Sequence, residues 1–218
     1  MAISAKQRQK KLEKKNKKRK QAKKLNVGTQ HKSDALKYAS FPVHECFIPD
    51  SLFDTGLGTV IISRRAPDGS IALSAFVVDM YCLGVKNALF KVSGEAEYEN
   101  TVKPGLMRED QAQYESVSPA CAVKVIKGGV LYANELGFSP HRDYKEAKNI
   151  FGNIDASSCS VKYEYGHDGK PSYIRGPGES ALQAKRIVEQ LDNRCGEGNY
   201  ECTFMLDEDM FEEYDRIF

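Results

Sequence analysis

Asp79 closes the apolar run AFVVD, and Lys86 follows seven residues later, across MYCLGV. A carboxylate at the end of a strand with a lysine close by could hold a metal or steady a phosphoester. Cys82 lies between them, but a nucleophilic thiolate needs a neighbouring His or a helix N-terminus, and the local sequence supplies neither. The plainer reading has Asp79 capping a turn, Cys82 in the core and Gly84 providing a positive φ. His141 and Asp143 form a second candidate pair. They fall in the first turn of an expected helix, where Asp143 also suits the positive end of the helix dipole. A phosphoesterase or nuclease would centre on Asp79 and Lys86, with His141 and Asp143 assisting. Arg142, Lys145 and Lys148 on the same helix invite a DNA-binding reading, which Asp143 and Glu146 dilute.

Three weaker signals accompany these. Arg175-Gly-Pro-Gly-Glu-Ser180 joins a strand to a helix, and free amides there could hold a phosphate, although Glu179 places an acid at the same spot. Tyr163, Tyr165 and Tyr173 could stack unpaired bases, or could pack across strands. The six cysteines form no CxxC pair, and the spacings of Cys195 with Cys202 and of His44 with Cys46 are not those of structural zinc sites. No metal set is assigned, the cofactor is left open, and the cysteines are expected to be reduced thiols.

The elements that must position these residues follow from pattern. A first strand is expected near Phe41–Ile48, then one or two helical turns over Pro49–Asp54. TVIISRR (59–65) and SIALSAFVVDMY (70–81) flank Asp68-Gly69, a strong hairpin signal, and VKNALFKV (85–92) continues a β-meander. Residues 94–117 read as loop with some helix. Ser118-Pro119 opens a helix to Leu136, with Gly137 as its terminator and Gly128-Gly129 admitting another backbone at close range. Ser139-Pro140 opens a second helix to Phe151. A second hairpin, 160–166 with 171–176, is expected around Asp168-Gly169, followed by a helix over Glu179–Arg194 and a strand at 199–206. Strand runs and helices in this order predict an α+β fold with mostly antiparallel sheets: a β-meander, a helical pair and a second hairpin/helix unit. The expected organisation is a basic arm (1–25), a linker (26–40), one domain (41–206) and an acidic tail (207–218).

The arm is the strongest signal. Residues 1–24 hold twelve of the 32 Lys/Arg and one of the 30 acids, so the rest of the chain carries 20 bases against 29 acids. The run has good helix formers but no apolar stripe, and its lysines repel one another at helical spacing. A disordered segment that becomes helical on neutralisation is expected. Phosphate backbones supply that neutralisation through counterion release. Lys10, Lys11, Lys14, Lys15, Lys17, Lys18, Arg19 and Lys20 are the expected contacts to RNA or DNA. Lys14 to Lys20 (KKNKKRK) would also pass as a nuclear localisation signal in a eukaryote. The acidic C-terminus could engage a basic protein partner. No stretch reaches the ~20 apolar residues of a membrane helix, and no apolar segment follows the N-terminal charges as in a signal peptide. With 41% hydrophobic and 28% charged residues a real core is affordable, and a soluble, cytoplasmic protein is expected.

The segments FVVDMYCLGVKN, LGFSPHRDY and YGHDGKPSYIRGP resemble three blocks shared, in this order, by a family of uncharacterised bacterial proteins. The resemblance covers about residues 43–178 and implies a bacterial source. It carries over no activity, cofactor or catalytic residue.

Overall fold

The structure, a computed structural model, describes residues 35–109, 112–176 and 179–203. The basic arm, most of the expected linker and the acidic tail lie outside the described residues.

The meander forms where the alternation and the Asp-Gly turn place it. β1 (Val43–Pro49), β2 (Leu57–Arg65), β3 (Ile71–Asp79), β4 (Gly84–Ser93) and β5 (Tyr114–Ser116) build an antiparallel sheet in the order β4-β3-β2-β1-β5. At the β2–β3 turn Gly69 has φ +82°, a conformation that costs glycine nothing, and Asp68 Oδ1 accepts the Ser70 amide at 3.0 Å. β3 is an interior strand, pairs along its whole length on both sides and is buried on both faces. Its near-continuous apolar sequence is explained by that double burial.

A first helical turn, α1 (residues 35–38), precedes β1, and α2 (Leu52–Thr55) bridges β1 to β2. One face of the sheet is covered by α5 (Pro119–Glu135), α6 (Tyr144–Ala147) and a 3₁₀ turn (Lys148–Phe151). Val60, Ile62, Phe76 and Val78 from the sheet meet Val123, Ile126, Tyr144 and Ile150 from these helices. Burying side chains of this size contributes roughly 1.5–3 kcal/mol each. The other face packs Ile61, Ile71, Leu73 and Ala75 under Tyr98. Tyr98 opens a π turn (Tyr98–Val102) set between α3 (Glu95–Glu97) and α4 (Lys103–Glu109). A third cluster, with Cys82, Leu136, Tyr173 and Leu191, holds α7 (Ala181–Cys195) beside β6 (Ser172–Ile174) and β7 (Glu201–Thr203).

α5 begins as expected, with the Ser118 hydroxyl accepting the Cys121 amide at 3.2 Å and Pro119 in the first turn. It stops at Gly137, whose φ is +88°. The glycine pair does admit a second backbone. A Cβ on Gly84 would lie 2.8 Å from the Gly129 carbonyl oxygen.

Three expectations are corrected. Residues 160–166 form no strand, and the Asp168-Gly169 turn carries only an isolated His167–Lys170 bridge. β6 instead pairs in parallel with β7, the strand that follows α7. The chain at Tyr165 is spent on α5, where its hydroxyl donates to the Val125 carbonyl at 3.1 Å. The single helix expected over 139–151 is a short α6 followed by the 3₁₀ turn, so no long second helix faces outward. The cysteines are not all reduced: Cys121, in the first turn of α5, is bonded to Cys159 across 38 residues of sequence. Cys46, Cys82, Cys195 and Cys202 remain free.

Candidate functional site

Asp79 ends β3 at the edge of the first core and is 6% exposed. Its Oδ1 accepts the amides of Tyr81 at 3.0 Å and Cys82 at 2.9 Å. The carboxylate therefore organises the MYCLG turn. Burial pushes its pKa up, against the opposing pull of Lys86 and of these amides. Cys82 is fully buried, and burial together with the Asp79 charge pushes its thiol up, away from thiolate chemistry.

Lys86 lies within electrostatic reach of Asp79, but its ammonium is held elsewhere. Its Nζ sits 2.8 Å from Glu179 Oε1, with both side chains under one-fifth exposed. The Tyr173 hydroxyl donates to Glu179 Oε2 at 2.5 Å, and Arg175 Nε donates to the Glu179 carbonyl at 2.9 Å. Burial alone would raise the Glu179 pKa; the hydrogen bonds from Lys86 and Tyr173 outweigh it and hold the carboxyl below its usual value. The acid that weakened the phosphate reading of this helix start is thus the counter-ion of Lys86. Two amides at the start of α7 are also used, because Ser180 and Gln183 form a reciprocal capping box.

His141 is brought next to Lys86 through the backbone, its amide donating to the Val85 carbonyl at 2.8 Å. Its ring engages its own turn: Nδ1 lies 3.7 Å from Asp143 Oδ2 and accepts the Asp143 amide at 3.4 Å. Asp79 and Lys86 are neighbours, but His141 and Asp143 form a separate, self-contained pair. Of the three tyrosines, Tyr173 is buried and Tyr165 is half-buried against Tyr132. Tyr163 stacks on the exposed Phe53 ring at 5.5 Å and 4°.

The sheet's other face carries a constellation that the sequence reading missed. Between the pairs Val43–Arg64 and Cys46–Ile62, β1 holds two residues, His44 and Glu45, opposite the single Ser63 of β2. This bulge frees neighbouring side chains from strict alternation. The Ser63 hydroxyl fills it, bonding the Glu45 amide at 3.1 Å and the Glu45 carbonyl at 3.2 Å. The π turn and the start of α4 bring Glu99 and Lys103 to the same place. His44 Nε2 lies 3.9 Å from Glu45 Oε2 and 3.8 Å from Glu99 Oε1. Lys103 Nζ bridges the two carboxylates, at 2.6 Å from Glu99 and 3.2 Å from Glu45. The Tyr98 hydroxyl donates to Glu45 Oε2 at 2.9 Å. Burial works against the Lys103 ammonium, and its bonds to Glu99 and Glu45 more than offset that, raising its pKa. Among the described residues, His44, Glu45 and Glu99 are the group whose donor atoms lie close enough together to share a cation.

No family model, curated protein or solved structure matches the chain. The fold class is α+β, and no helix of the described residues is long and apolar enough to cross a membrane.

Proposed function

We propose that the protein binds nucleic acid through residues 1–24, with Lys10, Lys11, Lys14, Lys15, Lys17, Lys18, Arg19 and Lys20 contacting the phosphate backbone of RNA or DNA. The observation that carries this is the charge asymmetry: twelve cations and one acid in 24 residues, joined to a body with nine more acids than bases. A polycation without an apolar stripe gains most by exchanging condensed counterions on a polyanion for its own side chains.

The body's chemistry supports giving that role to the arm. Arg65, Lys86, Lys91 and Lys103 are each already paired with a carboxylate. Arg64 is buried against backbone carbonyls. Phosphate contact by these residues would first require breaking those pairs.

The test is a set of binding isotherms with single-stranded RNA and duplex DNA at several salt concentrations, on the full chain and on a variant lacking residues 1–25. The full chain should bind without sequence preference, with log affinity falling linearly in log salt. Deletion should remove most of the affinity. Unchanged isotherms after deletion would reject the proposal.

A further inference from the structure

We propose that His44, Glu45 and Glu99 form a site for a divalent first-row transition cation, bound by His44 Nε2 and one carboxylate oxygen from each glutamate. The site is independent of the nucleic-acid reading and uses none of its residues.

His44 Nε2 is shielded from solvent and makes no hydrogen bond. A buried nitrogen left so has lost its water without replacement, a cost that remains unless something else meets it. What it faces is two carboxylate oxygens, and the three donor atoms all lie within 4.8 Å of one another. A cation held at ~2.0–2.2 Å by nitrogen and oxygen would draw such donors to roughly 3–3.5 Å apart. For the two imidazole–carboxylate distances, 3.8 and 3.9 Å, this is a closure of about half an ångström, and the two carboxylate oxygens, within 4.8 Å of each other, close by rotation of the glutamate side chains.

Two backbone irregularities converge on this one point. The β1 bulge aims consecutive residues at the same cluster, and the π turn supplies Glu99 from the covering segment. Both kinds of irregularity recur at functional sites, where they redirect side chains that regular structure would point elsewhere.

The charged groups at the site are two carboxylates, the imidazole and the Lys103 ammonium; the Arg65–Glu95 ion pair also lies within electrostatic reach, Arg65 of Glu45 and Glu99 and Glu95 of His44, and adds no net charge. With the imidazole neutral, one ammonium against two carboxylates leaves a net charge of −1. The long Lys103 side chain packs over the Phe47 and Tyr98 rings at 5.8 and 5.2 Å and acts as the resident cation. A divalent ion displaces it, supplying two charges where Lys103 supplies one. One imidazole with two carboxylates favours zinc, cobalt, manganese or iron(II) over calcium or magnesium. Three protein ligands leave at least one coordination position open.

The experiment is a Co²⁺ titration of the full chain followed by visible absorption, with Zn²⁺ as competitor. The wild type should show d–d bands saturating at one ion per chain, without the sulfur-to-cobalt charge-transfer band that cysteine ligation would give. His44→Ala and Glu99→Gln should each weaken binding about tenfold or more. Lys103→Met should tighten it, because it removes the competing cation. Glu99 is half-exposed, so Glu99→Gln keeps the test valid should His44→Ala fail to fold. Absence of d–d bands in the wild type, a spectrum dominated by thiolate charge transfer, or equal affinity in the wild type and Glu99→Gln would overturn the proposal.

Discussion

Lys86 and Glu179, 93 positions apart in sequence, form a 2.8 Å ion pair that ties β4 to the start of α7. The lysine that spacing offered as a phosphate ligand is in place to hold two parts of the fold together. Glu179→Gln should therefore destabilise the protein by about 1–3 kcal/mol, between the values of exposed and fully buried pairs. The Glu179 carboxyl is held below its reference value of 4.5, so its contribution is present above that pH and is lost as pH falls through the folded value. The penalty of Glu179→Gln, measured by urea unfolding, should shrink on acidification. A penalty independent of pH would show that the pair does not contribute through charge.

Asp79 has the opposite sign. Burial raises its pKa above the reference value of 3.8, so the folded state binds its proton more tightly than the unfolded chain does. Its ionisation costs stability as pH rises from 3.8 through the folded value. Asp79→Asn keeps an oxygen for the Tyr81 and Cys82 amides without the charge. Relative to wild type, it should gain stability as pH rises above about 4, and the gain should level off above the folded value. Denaturant unfolding at a series of pH values reads this out, and a flat difference would contradict it.

Arg64 is 3% exposed and has no carboxylate partner among its hydrogen bonds. Its Nε donates to the Ile150 carbonyl at 2.6 Å, its Nη2 to Phe151 at 2.8 Å and its Nη1 to Phe41. It satisfies the end of the 3₁₀ turn that regular helix hydrogen bonding leaves open. Arg64→Ala should cost about 3–5 kcal/mol, and Arg64→Lys should recover only part of that, because an ammonium cannot span three carbonyls. Equal stability of the Lys variant and wild type would mean that charge alone suffices.

Gly128 tests packing against propensity. In an isolated helix Gly→Ala stabilises by about 1 kcal/mol. Here a Cβ would stand 2.0 Å from the Tyr165 hydroxyl, which is itself bonded to the Val125 carbonyl. Gly128→Ala should therefore destabilise the protein by about 1–3 kcal/mol. Combined with Tyr165→Leu, which removes both the hydroxyl and the ring edge whose Cζ would stand 2.4 Å away, the Ala substitution should cost less. Additive effects in this double-mutant cycle would argue against the contact.

The free thiols should divide by burial. Burial pushes the Cys46 pKa up to about 12, and Cys82 is fully enclosed; Cys195 and Cys202 are partly exposed. A short N-ethylmaleimide pulse on the native protein, read by peptide mass spectrometry, should label Cys195 and Cys202 before the other two. Early labelling of Cys82 would show that the MYCLG turn opens readily.

What the sequence determined by itself was local chemistry. The Asp68-Gly69 hairpin, the strands on either side of it, the Ser118-Pro119 start of α5 and its stop at Gly137 depend on residues within a few positions of one another. The polarity of the chain, cationic at one end and acidic elsewhere, needs no fold at all. The expectation failed at 160–166, where a β-rich pattern met a neighbour that alternation cannot reveal: Tyr165 finds its partner on α5, 40 residues back. Tertiary structure alone decided that Lys86 faces Glu179, that Cys121 meets Cys159, and that a bulge in β1 and a π turn place His44 and Glu45 opposite Glu99. Each of these depends on the register between distant segments, and that register is set by how the two faces of the sheet are covered.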